Sequence, residues 1–285
     1  MRTLPKTLEI LPLNIKAAWL LVGVVLSFFG HAQNAEIGLS GGGSNFVGDV
    51  GHYGIHAPTG YYYGGFFRYT FQQYYALRVG GHAGVLENRD EWSQIEERKR
   101  RNLSFRSDIW DAYAVVEFNF FEFNPRSKEH NKTFFIFGGI GIMGYNPKAF
   151  YEDEWVDLRP LGTEGQGTPL SQEAVYSKVD LMMPFGMGFK WAFNEHWQIS
   201  LDFTAHSTAT DYLDDASGKY VNAQDLSLYN GELAGILSDR SGTDLDKSQY
   251  YRGNPDNNDW YFYSGLSLIW RFTSNYEKCD KFWGR

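Results

Sequence analysis

The chain has 285 residues, with 26 Lys+Arg against 34 Asp+Glu and a formal net charge of −8. Aromatics reach 18% and glycines number 31, against 9 prolines, a balance that favours strands and turns over helices or disorder. The acidic charge argues against a nucleic-acid partner, and the single cysteine excludes an intramolecular disulfide and a cysteine-rich zinc site.

In chain order, the first element is a targeting segment. Arg2, Lys6 and Lys16 precede an apolar run from Ala17 to Gly30. That run is too short for a span of about 20 residues and fits the apolar region of a signal peptide. Small residues at Gly30 and Ala32 place cleavage after Ala32, so residues 1–32 are expected to be a signal peptide. No uncharged apolar run of eighteen residues follows, so the exported chain could enter a membrane only as a closed barrel.

Period-2 alternation then recurs. A weak strand is expected over Ala35–Asn45, with Ile37 and Leu39 opposite Glu36, Gly38 and Ser40. A second covers Tyr61–Phe71 and carries Arg68 on its minority face. Tyr75, Leu77 and Val79 oppose Arg78 and His82. Trp110, Ala112, Ala114, Val116, Phe118 and Phe120 oppose Asp111, Tyr113 and Glu117. The stretch Thr133–Met143 is apolar on both sides, which leaves its faces open. Val179 to Trp191 sets Leu181, Met183, Phe185, Met187 and Phe189 against Asp180 and Lys190. Trp197, Ile199, Leu201, Phe203 and Ala205 oppose Asp202 and His206. Trp260 to Phe272 completes eight strands, with Arg271 on its second face.

The links alternate between short (Gln72–Tyr74, Glu122–Lys132, Asn194–His196) and long (about Phe46–Gly60, Glu87–Ile109, Asn146–Lys178, Ser207–Asp259). The fold class expected is therefore all-β: an eight-stranded antiparallel up-and-down transmembrane β-barrel, with short periplasmic turns and long extracellular loops. A soluble barrel with an apolar inside would alternate in the same way, so three other features decide. Aromatics collect at both strand ends, as two bilayer interfaces would select. The apolar faces carry no charge. The last strand closes on Trp270-Arg271-Phe272, an alternating stretch ending in an aromatic like the assembly signal of bacterial outer-membrane barrels. The opposite faces hold Glu36, Asp111, Glu117, Asp180 and Asp202 with Arg68, Arg78, Lys190 and Arg271. An eight-strand lumen is narrow and filled by side chains, so these nine are expected to pair as a lumen charge network.

Such a lumen leaves no water-filled pore. His206, Ser207 and Asp211 could suggest hydrolysis, but adjacent strand residues face opposite sides and cannot form a nucleophile–base pair. No catalytic residue, cofactor or metal site is assigned. Asp214-Asp215 and Asp244 with Asp246 could give oxygen ligands to calcium or belong to a solvated acidic loop. The cluster Glu97-Arg98-Lys99-Arg100-Arg101 could meet lipopolysaccharide phosphates or simply be solvated. Residues 273–285 form a tail in which Tyr276, Cys279, Phe282 and Trp283 are candidates for docking a periplasmic partner.

Glu36-Ile37-Gly38, Gly42-Gly43-Ser44-Asn45-Phe46 and Gly48-Asp49 make the mature start resemble that of PorG-like outer-membrane barrels of Bacteroidetes, a component of the type IX secretion system. Eight strands, the aromatic last strand and a cysteine-bearing tail extend the resemblance over residues 33–285. It implies a non-enzymatic barrel (33–272) that sits among outer-membrane lipids and anchors a secretion assembly. The expected partners are periplasmic secretion-system proteins, including a ring lipoprotein. The alternative is a surface barrel whose long loops bind ligands or lipopolysaccharide, as an adhesin or a lipid-modifying protein would.

Overall fold

The computed structural model describes residues 35–272 apart from 53, 55, 72, 73 and 244. The expected signal peptide and the tail with Tyr276, Cys279, Phe282 and Trp283 lie outside the described residues.

Nine strands form one antiparallel sheet: β1 (Ala35–Val47), β2 (Gly60–Thr70), β3 (Tyr75–Arg89), β4 (Ser104–Asn119), β5 (Lys132–Tyr151), β6 (Glu154–Asp157), β7 (Val179–Ala192), β8 (Trp197–Thr208) and β9 (Trp260–Arg271). The spatial order β4-β3-β2-β1-β9-β8-β7-β5 closes through β4–β5 pairing. Eight strands make the barrel, and β6 is an extra strand on the outer part of β5. The hairpin that carries it turns at Glu152 and Asp153, whose φ values of 46° and 65° are both left-handed. Two left-handed residues in a two-residue loop match the twist of a hairpin. Glu-Asp is not a usual sequence for such a turn, which is why this strand was not expected.

All barrel pairings keep one register along their length, with one gap. Gly138 pairs with Phe185 and Gly141 with Met182, but the two positions between are unpaired. Pro184 lies in that gap and has no N–H to donate. The seam joins first and last strands, Glu36 opposite Arg271 through Val47 opposite Trp260, and ends with Phe272 N–H donating to Ala35 O at 2.9 Å. Both ends of the described chain therefore leave at the rim that also carries the short turns.

Side-chain placement is inverted relative to a water-soluble protein. Outward-facing Leu39, Ile140, Leu181 and Leu266 are 72%, 71%, 66% and 63% exposed, while Arg68, Glu117 and Lys190 are buried. Ile37, Leu77, Val79, Val116, Ile136, Met187 and Leu201 extend the apolar surface around the wall. A continuous apolar band of this extent is far larger than soluble monomers expose, and lipid is the solvent that matches it. The barrel is a transmembrane one. Exposed Phe71, Tyr75, Phe120, Phe134, Trp191 and Trp197 border the band at the short-turn rim, and Tyr61, Tyr63 and Trp110 border it at the other. The faces of β5 also resolve: Phe134, Ile136, Ile140 and Ile142 point outward, and Phe135, Phe137 and Met143 point into the lumen.

Above the band, β3, β4 and β5 overrun the strand lengths expected from alternation. They support a cap with three short helices: α1 (Glu96–Arg101), α2 (Ala223–Asn230) and α3 (Glu232–Ser238). Asn222 caps α2 by accepting from Gln224 and Asp225 backbone N–H, and α1 ends on Asn102 in the left-handed region.

Leu201 and Leu266 face each other across β8 and β9, midway between the aromatic borders. Leu201→Arg should lower unfolding stability in lipid by about 2–4 kcal/mol, read from denaturant titrations in bilayers. A wall that faced water would show no such loss.

Candidate functional site: an ionic lumen under a folded polar cap

Alternation on closed strands sends every second side chain of eight strands into one narrow space. The lower lumen collects charge around Glu117 of β4. Glu117 has Arg68 Nε at 3.0 Å, Arg78 Nε at 3.1 Å and Lys190 Nζ at 3.4 Å. Arg68 also reaches Glu36 at 3.1 Å, and Arg78 reaches Asp202 at 3.7 Å. Glu36 accepts from Gln198 Nε2 at 2.7 Å, while Asp202 accepts from Ser200 at 2.8 Å and Ser267 at 3.0 Å. Three cations and three carboxylates make a lattice with no net charge. Aromatic faces fill the remaining sides, with Arg78 over Phe137 at 4.4 Å and Lys190 over Phe135 at 4.9 Å, the arrangement in which a ring stabilises a desolvated cation.

Six of the nine residues expected in the network thus meet. Arg271 is half-buried near the rim, opposite Glu36 in the strand register. Asp111 and Asp180 are not part of the lattice. Asp111 lies one tier higher and contacts His82 Nδ1 at 3.0 Å, with the Tyr261 hydroxyl donating to it at 3.5 Å. Asp180 is at the loop-end rim of β7, half-buried, and accepts from Tyr145 at 3.1 Å. Both departures have one cause. Alternation shows which face a residue occupies but not its height, and these two carboxylates sit above the level of the arginines.

Over the lumen lies a cap that the sequence represented as loops. Here the solvated reading is overturned for Asp214 and Asp215, which are buried with Asp211 and Asp259, while Asp246 is exposed and Asp244 lies outside the described residues. Arg252 lies between Glu164 at 3.3 Å and Asp215 at 3.6 Å. Asp215 also accepts from Thr163 at 2.5 Å and Tyr176 at 2.6 Å. Asp214 accepts from Val50 N–H at 2.8 Å and Ala216 N–H at 3.0 Å. Two members of the basic cluster turn inward as well. Arg101 forms a two-point contact with Asp90, both arms at 2.8 Å, and donates to Asp49 O at 2.6 Å. Arg98 donates to Gly51 O at 2.7 Å. Lys99 and Arg100 remain at the surface. The loops are tied to one another by charge-assisted bonds from side chain to backbone. Those bonds join residues up to 205 positions apart, as Asn254 N–H to Asp49 shows, so no local sequence signal could reveal them.

The residues once considered for hydrolysis are separated. His206 is fully buried in the lumen, Ser207 takes the opposite face of β8 and Asp211 belongs to the cap. Among the described residues, neither ring nitrogen of His206 has a hydrogen-bond partner of ordinary distance and angle, so Ser207 and His206 form no nucleophile–base pair.

Two expectations follow from the lattice and the cap. Glu117→Ala leaves three buried cations around an empty position and should cost about 3–5 kcal/mol. Asp180→Asn, outside the lattice, should change stability far less in the same denaturant titration. In the cap, burial and the neighbouring Asp214 push the Asp211 carboxyl up to about 9, and burial also raises Asp214 and Asp259. The folded cap thus holds protons that the unfolded chain releases above about pH 4. Stability from these carboxyls is complete below that range and declines as pH rises to about 9, where Asp211 ionises. Amide protection factors in residues 209–259, corrected for the intrinsic rise of exchange with pH, should therefore fall between pH 6 and pH 9, and Asp211→Asn should weaken that dependence.

Comparisons with known proteins follow from this geometry. The N-terminal β-barrel domain of Pseudomonas aeruginosa OprF shares 12% identity at a TM-score of 0.35, covering 84% of this chain and 98% of that one. Neisserial surface protein A shares 6% at 0.42, covering 84% and 97%. Ail, the attachment invasion locus protein of Yersinia pestis, shares 10% at 0.35, again covering 84% and 97%. A comparison with curated proteins yields no match. The family described as "Domain of unknown function (DUF6089)" matches residues 16–235, and the chain belongs to that family.

Proposed function

We propose that this protein is a non-conducting, non-enzymatic barrel of the bacterial outer membrane that anchors a protein-secretion assembly of the type IX kind. The observation that supports it best is the closed lumen. The charged side chains of its lower part are occupied by one another, and the long loops fold over it as a cap. Among the described residues, a barrel built this way offers solutes no open path, and His206 and Ser207 take opposite faces of one strand. What remains available for function is its surface: the lipid-facing wall, the cap and the short-turn rim from which both chain ends leave. The likeness of Glu36-Ile37-Gly38 and Gly42-Gly43-Ser44-Asn45-Phe46 to the start of PorG-like barrels adds the secretion assembly. In this reading the cap faces the exterior, and residues 273–285 reach periplasmic ring proteins, with Tyr276, Phe282 and Trp283 as apolar anchors.

A second reading, a surface receptor, is favoured by one feature. A groove beside α1 is lined by Arg98, Arg100, Lys247, Leu245, Tyr250 and Tyr251, a mixture of basic and apolar groups suited to an anionic glycolipid.

Crosslinking from Cys279 in intact envelopes should capture a periplasmic protein, and deletion of residues 273–285 should impair secretion. If neither occurs, the anchoring role fails. Planar-bilayer recordings of the refolded barrel should show no steady conductance. Arg100→Glu with Lys247→Glu should leave secretion unchanged under the anchoring role, whereas a receptor would lose lipopolysaccharide binding.

A further inference from the structure

The middle lumen holds a cluster that neither the ion lattice nor the anchoring role uses. His82 of β3, Asp111 of β4 and His206 of β8 converge there. Strand register sets His82 directly opposite Asp111, while β8 brings His206 from across the lumen. One ligand-type atom from each residue lies within 4.8 Å of the other two. Asp111 and His206 are buried, and the His82 side chain is 10% exposed.

We propose that His82, Asp111 and His206 bind one divalent transition-metal ion, zinc by the chemistry of the set, inside the barrel. His206 carries the argument. Its ring is fully buried, yet among the described residues neither nitrogen has a hydrogen-bond partner of ordinary distance and angle. Buried polar groups are ordinarily satisfied, and an orphaned one needs an explanation such as an ion. The ring is held in place by stacking on Tyr261, 4.1 Å between centroids at 3°, and by the edge of Tyr263 at 4.8 Å. His82 is stacked on Tyr113 at 5.0 Å. Aromatic walls that steady two imidazoles beside a single carboxylate are suited to a ligand that supplies its own charge.

The donor set selects the ion. Two imidazoles and one carboxylate suit zinc and its transition-metal neighbours over calcium or magnesium, which take oxygen ligands. Zinc bonds of about 2.0–2.1 Å put tetrahedral ligands about 3.3 Å apart. The His82 Nδ1 to Asp111 Oδ1 separation of 3.0 Å is close to that, and His206, whose ligand atom lies within 4.8 Å of both, would close in by sliding within its stack on Tyr261. The metal would replace the proton shared by His82 and Asp111, since ligands bind deprotonated. Tyr261 O–H, donating to Asp111 Oδ2, holds the carboxylate's other oxygen and so orients it. Beside the set lies a cavity of about 20 Å³ lined by His82, His206, Asp202, Thr204, Ser40 and Ser267. It has room for one water, which would complete four-coordination. Bound there, the ion ties β3 and β4 to β8 across the lumen.

The test uses the full exported chain, refolded in detergent with zinc sulfate, dialysed, and checked for folding by its heat-dependent gel shift. Elemental analysis should find close to one zinc per chain, and chelation should lower the unfolding temperature. His206→Gln and Asp111→Asn should each lose the retained zinc, while His52→Gln with His56→Gln should keep it. Those two half-buried histidines, rings 4.8 Å apart, are the obvious adventitious site. If the lumen variants do not fold, cobalt loaded into the unaltered chain should give the visible absorption of a tetrahedral site, and added zinc should abolish it. Absence of retained metal, zinc that persists in folded His206→Gln, or a cobalt spectrum of plain octahedral aquo character would each overturn the proposal.

Discussion

The structure depends on how a narrow cylinder without bulk water accommodates charge. Glu117 meets that demand by taking Arg68, Arg78 and Lys190 on one carboxylate, and Glu36 and Asp202 neutralise what is left. An isolated ion in such a place would be costly, and paired ones are tolerated only when their remaining polar atoms also find partners. Gln198, Ser200 and Ser267 serve as those partners. Because the lattice is neutral and its members come from β1, β2, β3, β4, β7 and β8, it acts as an internal strut. The wall can then be purely apolar, since nothing on it has to satisfy a charge.

The same constraint separates the molecule into tiers with different chemistry. Ions fill the lower lumen. Imidazoles, tyrosines and Asp111 fill the middle. The cap above combines an apolar plug, with Phe46, Leu86, Phe105 and Leu213 buried together, and an arginine-and-aspartate web around it. Each tier is held by contacts between residues distant in sequence, so the loops are as much part of the fold as the strands.

How far the sequence could be read follows from these distances. Strand positions were legible because inside and outside alternate every residue, and a lipid-facing wall keeps that signal free of charge. Seven strands showed their faces this way. β5 did not, because its lumen side carries Phe135 and Phe137, the rings that lie against the buried cations. Membership of the ionic lattice was legible only in part: the pattern identified Arg68 and Glu117 as inward, yet placed Asp111 and Asp180 beside them because alternation has no information on height. The cap was not legible at all. Arg98 and Arg101 have the sequence appearance of a solvated basic run, but Asp49 and Gly51 reach them from the β1–β2 loop, and Asp90 from eleven positions earlier in their own loop.

The seam between β1 and β9 sets a condition on biogenesis. The wall is complete only when its final strand meets its first, more than two hundred positions earlier. Until then the growing ribbon carries two open edges of unpaired backbone, and Asp202 lacks the Ser267 hydroxyl that β9 brings to the lattice. Assembly is therefore all-or-nothing, and a chain arrested before Trp260 is left as a sticky, unsealed sheet. Such a product calls for a chaperoned route and for prompt proteolysis of whatever fails to close.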